Sequence, residues 1–159
     1  VIVRVSIGAD HAGYAYKAIL VPHLEQAGHA VHDEGTFGPE SVDYPDFAAA
    51  VAERVARGEA DRGILICGSA VGVCIVANKF PGIRAGVCHD TYSAHQGVEH
   101  DDMNILCLGE RIIGIALARE IIDTFLAARF SGGDRHRRRL DKLEAVERRH
   151  LKNADSANS

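Results

Sequence analysis

Short β-rich runs alternate with longer helical runs along this chain, and that alternation limits the fold more than any other feature. Residues 2–8 (IVRVSIG) read as a buried strand. Residues 13–27 set Tyr16, Ile19, Leu20 and Leu24 at helical spacing and stop at Gly28. A weaker strand over 29–33 leads into a turn-rich loop, 35–45. An amphipathic helix over 46–57 is closed by Gly58. Strand 63–66 then runs into the loop CGSAVG and a helix ending near Lys79. Strand 84–88, helix 91–99, strand 104–108 and helix 114–129 follow, and after Gly132 and Gly133 a last charged helix ends near Leu151. Five β runs separated by helices predict an α/β fold: a doubly wound, five-stranded parallel sheet with helices on both faces and an extra C-terminal helix. The common strand order for such a sheet is 2-1-3-4-5, with right-handed crossovers. The expected organisation is one domain over 1–150 and a disordered tail over 151–159.

Composition narrows the function classes. A net charge of −4 disfavours non-specific nucleic-acid binding. Against that background Arg135, Arg137, Arg138 and Arg139 form a local cationic run, as readily a solvated helix face as an anion site. No apolar stretch approaches the roughly 20 residues of a membrane span, and VIVRVSIGAD reads as a strand entering a loop rather than a signal peptide. Cys67, Cys74, Cys88 and Cys107 form no CxxC pair, which argues against a zinc site. Free thiols without an export signal point to the cytoplasm. Cys88 and Cys107 lie in apolar runs and read as inert core residues, and Cys74, inside a helix, reads the same way.

Strand order locates the chemistry. In a 2-1-3 arrangement the switch point lies between strands 1 and 3, and ligands bind beyond the carboxyl ends of the strands there. The residues leaving those strands are Asp10-His11 and Cys67-Gly68-Ser69, so two segments distant in sequence are expected to meet. The loop CGSAVG joins a strand to a helix, a geometry that suits either an anion or a plain tight turn. A thiol near a helix N-terminus has a lowered pKa and can serve as base or nucleophile. Asp10 and His11 suit a sugar hydroxyl, and Asp10 also suits a helix cap. His100, in EHDDMN, reads as an acid/base or as a surface histidine. These parts share a use. Aldose–ketose isomerisation through an enediolate needs a base, donors for the charged oxygen, an acid/base to open a sugar ring and cations for a phosphate. Cys67, the N–H groups of Gly68–Gly72, His100 and the arginine run match those needs, and no metal or redox cofactor is required.

The segments GADHAGYAYK, DEGTFGPESVDYPDFA, DRGILICGSAVGVCIVANKFPGIRAGVC, EHDDMNILCLGERIIG and GGDRHRRRL resemble the type B ribose-5-phosphate isomerases, over about residues 3–150. The resemblance implies a flavodoxin-like sheet, a homodimer or tetramer of dimers, and a phosphorylated sugar as substrate; because helices run back from the catalytic edge, His100, Arg135 and Arg139 are expected at the far edge of their own sheet, so that the active site is shared between subunits. It implies Cys67 as the base of the family's cysteine-using branch. The position of the other branch's glutamate base is Val73. It implies Ser69 as a hydroxyl beside the base, and His100 as the ring-opening residue. Asp10, His11, Tyr44 and the loop residues Gly68, Ala70 and Gly72 become substrate-site residues. Arg135 and Arg139 become phosphate ligands if Asp134 is an insertion, with Arg111 as a further candidate. Two positions depart from the family pattern. Asp101 stands where asparagine is usual, and an ionised carboxylate repels an enediolate oxygen that an amide would hold. Ala70 stands where glycine is usual, and its methyl is expected to narrow the loop's approach to substrate. The expected reaction interconverts ribose 5-phosphate and ribulose 5-phosphate. The alternatives are the same chemistry on another four- to six-carbon sugar phosphate, or a sugar-phosphate sensor without turnover. Flavodoxin-type FMN binding is disfavoured because the exit of strand 1 lacks a hydroxyl-rich phosphate loop.

Overall fold

The computed structural model describes residues 2–151. The expected tail therefore lies, apart from Leu151, outside the described residues. The elements alternate as expected: β1 (Arg4–Ala9), α1 (Tyr14–Gln26), β2 (Ala30–Asp33), α2 (Tyr44–Ala56), β3 (Arg62–Cys67), α3 (Val71–Ala77), β4 (Ala85–Val87), α4 (Thr91–Asp101), β5 (Ile105–Gly109), α5 (Ile115–Ala127) and α6 (Asp134–His150). All strand pairings are parallel. Among the described residues no helix is long and apolar enough to cross a membrane.

The strand order is β2-β1-β3-β5-β4, so the last two strands are exchanged relative to the expected 2-1-3-4-5. The reason lies in their composition. A central parallel strand is covered on both faces and reads as a near-continuous apolar run. β5, ILCLG, is buried at every position, whereas β4 has three residues, none of them buried. The longer apolar strand takes the interior and the short one the edge, where brevity limits unwanted pairing.

Side chains alternate across the sheet and build two cores. Ile64, Ile66, Leu106 and Leu108 pack beneath α1, α4 and α5, around Leu20, Leu24, Val98, Ile121 and Phe125. Leu65, Cys67, Ile105 and Cys107 face α2 and α3, around Val51, Val55, Val73 and Ala77. Helix α6 lies outside both layers and rests on α4.

Two packing features hold the site-bearing loops. Lys17 is 2 % exposed and donates to both Asp33 oxygens at 2.8 and 2.7 Å, while Asp33 Oδ1 accepts the Gly35 N–H at 2.9 Å. This pair fixes the start of the 34–43 loop. Gly13 marks the start of α1, where a Cβ would lie 2.3 Å from the Ile66 carbonyl oxygen. Only a bare backbone lets α1 start so close to β3. Gly13→Ala is therefore expected to cost about 3 kcal/mol, a steric clash against backbone that cannot rotate away, and to lower Tm by roughly 6–12 °C. A thermal melt measures this. A Tm within a degree or two of the parent would mean that α1 is free to shift.

Candidate active site

The exits of β1 and β3 meet as their adjacency requires. A cleft of about 360 Å³ at the carboxyl ends of these strands is lined by Asp10, His11, Tyr44, Cys67, Ser69 and Arg111, with Gly68 and Gly72 between them. Each group has a local reason for its position. Asp10 Oδ1 accepts the N–H groups of Ala12 at 3.0 Å and Gly13 at 3.2 Å, so the carboxylate organises the turn into α1. Its Oδ2 makes no hydrogen bond among the described residues. His11 Nδ1 accepts the Val42 N–H at 3.2 Å, which ties the 34–43 loop to the cleft and leaves the proton of the neutral ring on Nε2. Tyr44 opens α2, and its ring lies so close to Gly72 that a Cβ there would approach it to 2.8 Å.

Cys67 ends β3 and is 6 % exposed. Its Sγ accepts the Ala70 N–H at 3.1 Å, so a backbone donor aims at the sulfur from the start of α3. Ser69 Oγ accepts the Val71 N–H at 3.4 Å. Ala70 differs from its expectation. Its methyl is fully buried in the α2–α3 core and does not line the cleft, so it does not narrow the approach to substrate. Instead the residue sits at φ 72°, in the left-handed region that glycine occupies without strain.

Arg111 is the cation of this cleft. Because β5 neighbours β3, the Glu110 and Arg111 N–H groups reach Cys67 O at 2.9 Å and Gly68 O at 3.1 Å. The Arg111 guanidinium lies against Gly68, with Nη1 3.2 Å from where a Cβ would stand.

The remaining expected site residues gather elsewhere. His100 and Asp101 end α4, and Arg135 and Arg139 occupy the first turns of α6. None of the four lines the Cys67 cleft. Asp101 borders a different groove, between β4, α4 and α6. The predicted site is thus split within one chain between the carboxyl ends of the strands and the far end of α4.

The other cysteines divide. Burial pushes the Cys88 thiol up to about 11, and a hydrogen bond with Cys74 together with burial raises Cys107 well above its ordinary value. Both fit inert core residues. Cys74 is half-buried, and the hydrogen bond with Cys107 pulls its thiol down to about 7, which a core assignment does not anticipate.

A family model described as Ribose/Galactose Isomerase matches residues 5–143. This chain belongs to the ribose/galactose isomerase family. With that family it is an aldose–ketose isomerase. It is 47 % identical over 146 residues to ribose-5-phosphate isomerase B of Escherichia coli, covering 92 % of this chain and 97 % of that one. It is 45 % identical over 130 residues to D-erythrulose-4-phosphate isomerase 2 of Mycolicibacterium smegmatis, covering 80 % and 86 %. The structure of Clostridium thermocellum ribose-5-phosphate isomerase B superposes with a TM-score of 0.90 at 51 % identity, covering 92 % and 99 %. Membership of the ribose/galactose isomerases was therefore legible in the sequence motifs. His136 was not singled out, although it lies among the arginines: its burial follows from sharing a face of α6 with Leu140, one turn away.

Proposed function

We propose that this isomerase interconverts ribose 5-phosphate and ribulose 5-phosphate through an enediolate, with Cys67 as the base. The observation that carries the reading is the single cleft in which Cys67, Ser69, Asp10, His11 and Arg111 converge. In the open-chain aldose the Cys67 thiolate removes the proton from C2 as the electron pair moves toward O1. The thiol returns that proton to C1, while a proton passes from O2 to O1 and the carbonyl forms at C2. Ser69 is the hydroxyl nearest the base in sequence and suits the enediolate oxygens. Asp10 suits a sugar hydroxyl, and His11 and Arg111 suit the anionic end. His100 opens the furanose ring by general acid/base transfer.

His100, Arg135 and Arg139 act, on this reading, in the cleft of a second copy of the chain, giving a homodimer or a tetramer of dimers. The unpaired edge strand β4 supports this. It carries exposed Val87, and exposed Val71 and Ile75 stand on neighbouring α3, an apolar surface suited to a like partner. The four free thiols suit the reducing conditions of the cytoplasm.

A second reading keeps the chemistry and changes the carbon count. Asp101 favours it, since a carboxylate repels an enediolate oxygen, and the likeness to a D-erythrulose-4-phosphate isomerase makes a tetrulose phosphate its first candidate. Initial rates on a panel of four-, five- and six-carbon aldose and ketose phosphates separate the two. Asp101→Asn is expected to raise turnover of ribose 5-phosphate by about tenfold, the scale of one hydrogen bond to a charged oxygen. A slower Asn variant would remove Asp101 from substrate choice. A tetrulose phosphate turned over faster than the pentose by the parent enzyme would replace the first reading with the second.

A further inference from the structure

His136 is one of the few buried polar side chains among the described residues, 6 % exposed on a helix rich in charge, and no step above uses it. Its ring stacks on that of His100, with centroids 4.1 Å apart and planes tilted by 33°. Its two nitrogens are both engaged. Arg135 Nε donates to His136 Nε2 at 3.1 Å, and His136 Nδ1 lies 2.7 Å from Ser131 Oγ.

A guanidinium has no acceptor, so His136 Nε2 must be the unprotonated nitrogen and Nδ1 must carry the hydrogen given to Ser131. Ser131 Oγ also accepts the Gly133 N–H at 3.3 Å, and the Ser131 N–H reaches Glu99 O at 3.0 Å. The chain of contacts therefore runs from the end of α4 through Ser131 and His136 to Arg135. On the other side, Gln96 Nε2 donates to His100 Nδ1 at 2.9 Å, which leaves the proton of neutral His100 on Nε2.

We infer that His136 is the positioning residue that couples the ring-opening group to the phosphate clamp, its ring face fixing His100 and its Nε2 fixing Arg135. The coupling rests on the roles given to His100 and Arg135 under the proposed function. Turning Arg135 Nε inward leaves its terminal nitrogens for an anion, since Arg135 donates no other side-chain hydrogen bond among the described residues. The groups facing His136 disfavour a proton on its ring. Burial lowers its affinity for a proton, and so do His100 on α4 and Arg135 and Arg139 on its own helix, with Asp101 alone opposing them. A neutral His136 can stay stacked when His100 takes up a proton during ring opening; a charged one would repel it.

Two variants separate the two contacts. His136→Phe keeps a ring face for His100 and removes the acceptor for Arg135. It is expected to raise KM for the sugar phosphate about tenfold, the value of a hydrogen bond to a charged group, with a smaller change in kcat. His136→Gln sets an oxygen near the former Nε2 and removes the ring face. It is expected to lower kcat about tenfold, within the range of a misplaced acid/base, with a smaller change in KM. Equal effects of both variants on kcat and KM, or parental kinetics in both, would overturn the coupling. Side-chain nitrogen NMR of the full parent chain gives a test that needs no variant. At pH 7 the His136 ring should be neutral with its proton on Nδ1, and a proton on Nε2 would overturn the proposal. His100→Ala and Arg135→Ala serve as controls on the functional reading. If both retain parental kinetics, that reading fails, while the NMR result still judges the geometry of His136.

Discussion

Cys67→Ala is expected to lower kcat by about 10³-fold or more, the upper part of the range that a positioned base contributes, while Cys74→Ala keeps kcat within about threefold of the parent. The two substitutions need to be made separately, because chemical modification alone does not identify the base. Cys74 is half-buried and the hydrogen bond with Cys107 lowers its thiol to about 7, so loss of activity on alkylation would not by itself point to Cys67. What separates the two is location. Cys67 lines the cleft with Asp10, His11, Ser69 and Arg111, whereas Cys74 lies on α3 beside Ala85 O at 3.6 Å. The truncation at Cys67 removes one sulfur from a nearly closed position and leaves the Ala70 N–H without its acceptor, a modest cost to stability that a melt would report. Cys67→Ser restores an acceptor at the same place but not a base, since a hydroxyl does not ionise near neutral pH. It should therefore recover stability without recovering rate. A Cys67→Ala enzyme with parental kcat would end the assignment, and a Cys74→Ala enzyme equally impaired would move the base or make both thiols necessary.

What could be read from the chain follows from how local each determinant is. The alternation of β and helical runs is written in residue periodicity, and the elements appear where it puts them. The convergence of Asp10-His11 with Cys67-Ser69 needed only the adjacency of β1 and β3, which the sheet keeps. The exchange of β4 and β5 was beyond periodicity, because both segments read as apolar runs and only their competition for one interior slot decides between them. Arg111 follows from that exchange. Next to β3, β5 delivers Glu110 and Arg111 onto Cys67 and Gly68; at the sheet edge it would have delivered them away from Cys67. Ala70 shows a different limit. Its methyl was expected to narrow the loop's approach to substrate, but from a left-handed backbone it packs into the α2–α3 core. His136 was hidden by its neighbours, since a histidine inside an arginine run reads as one more polar group until α6 is laid on α4.

Mixing two inactive variants should restore activity if the site is composite. The geometry of one chain gives the reason. Asn104 O accepts the Gly63 N–H at 2.8 Å, near the start of β3, and Cys67 stands four residues farther on, about 13 Å along the strand. His100 lies four residues before Asn104, at the same end of the sheet. Ser131 is pinned to Glu99 O, so α6 begins there too and Arg135 and Arg139 start at the end of the molecule away from Cys67. If His100 opens the ring and Arg135 and Arg139 bind the phosphate, as proposed, groups so placed do not reach Cys67 of their own chain, but a two-fold axis can bring them to the cleft of a partner. Cys67→Ala and Arg139→Ala homodimers should each be inactive, every site in each lacking one part. After subunit exchange, a hybrid dimer holds one site with Cys67 from one chain and Arg139 from the other, and a second site lacking both. Activity per hybrid should therefore approach about half that of the parent dimer, by symmetry. Exchange is followed independently by mass spectrometry of tagged chains. Hybrids that form and remain inactive would mean that the site is built within one chain, and that α6 must move to reach its own cleft.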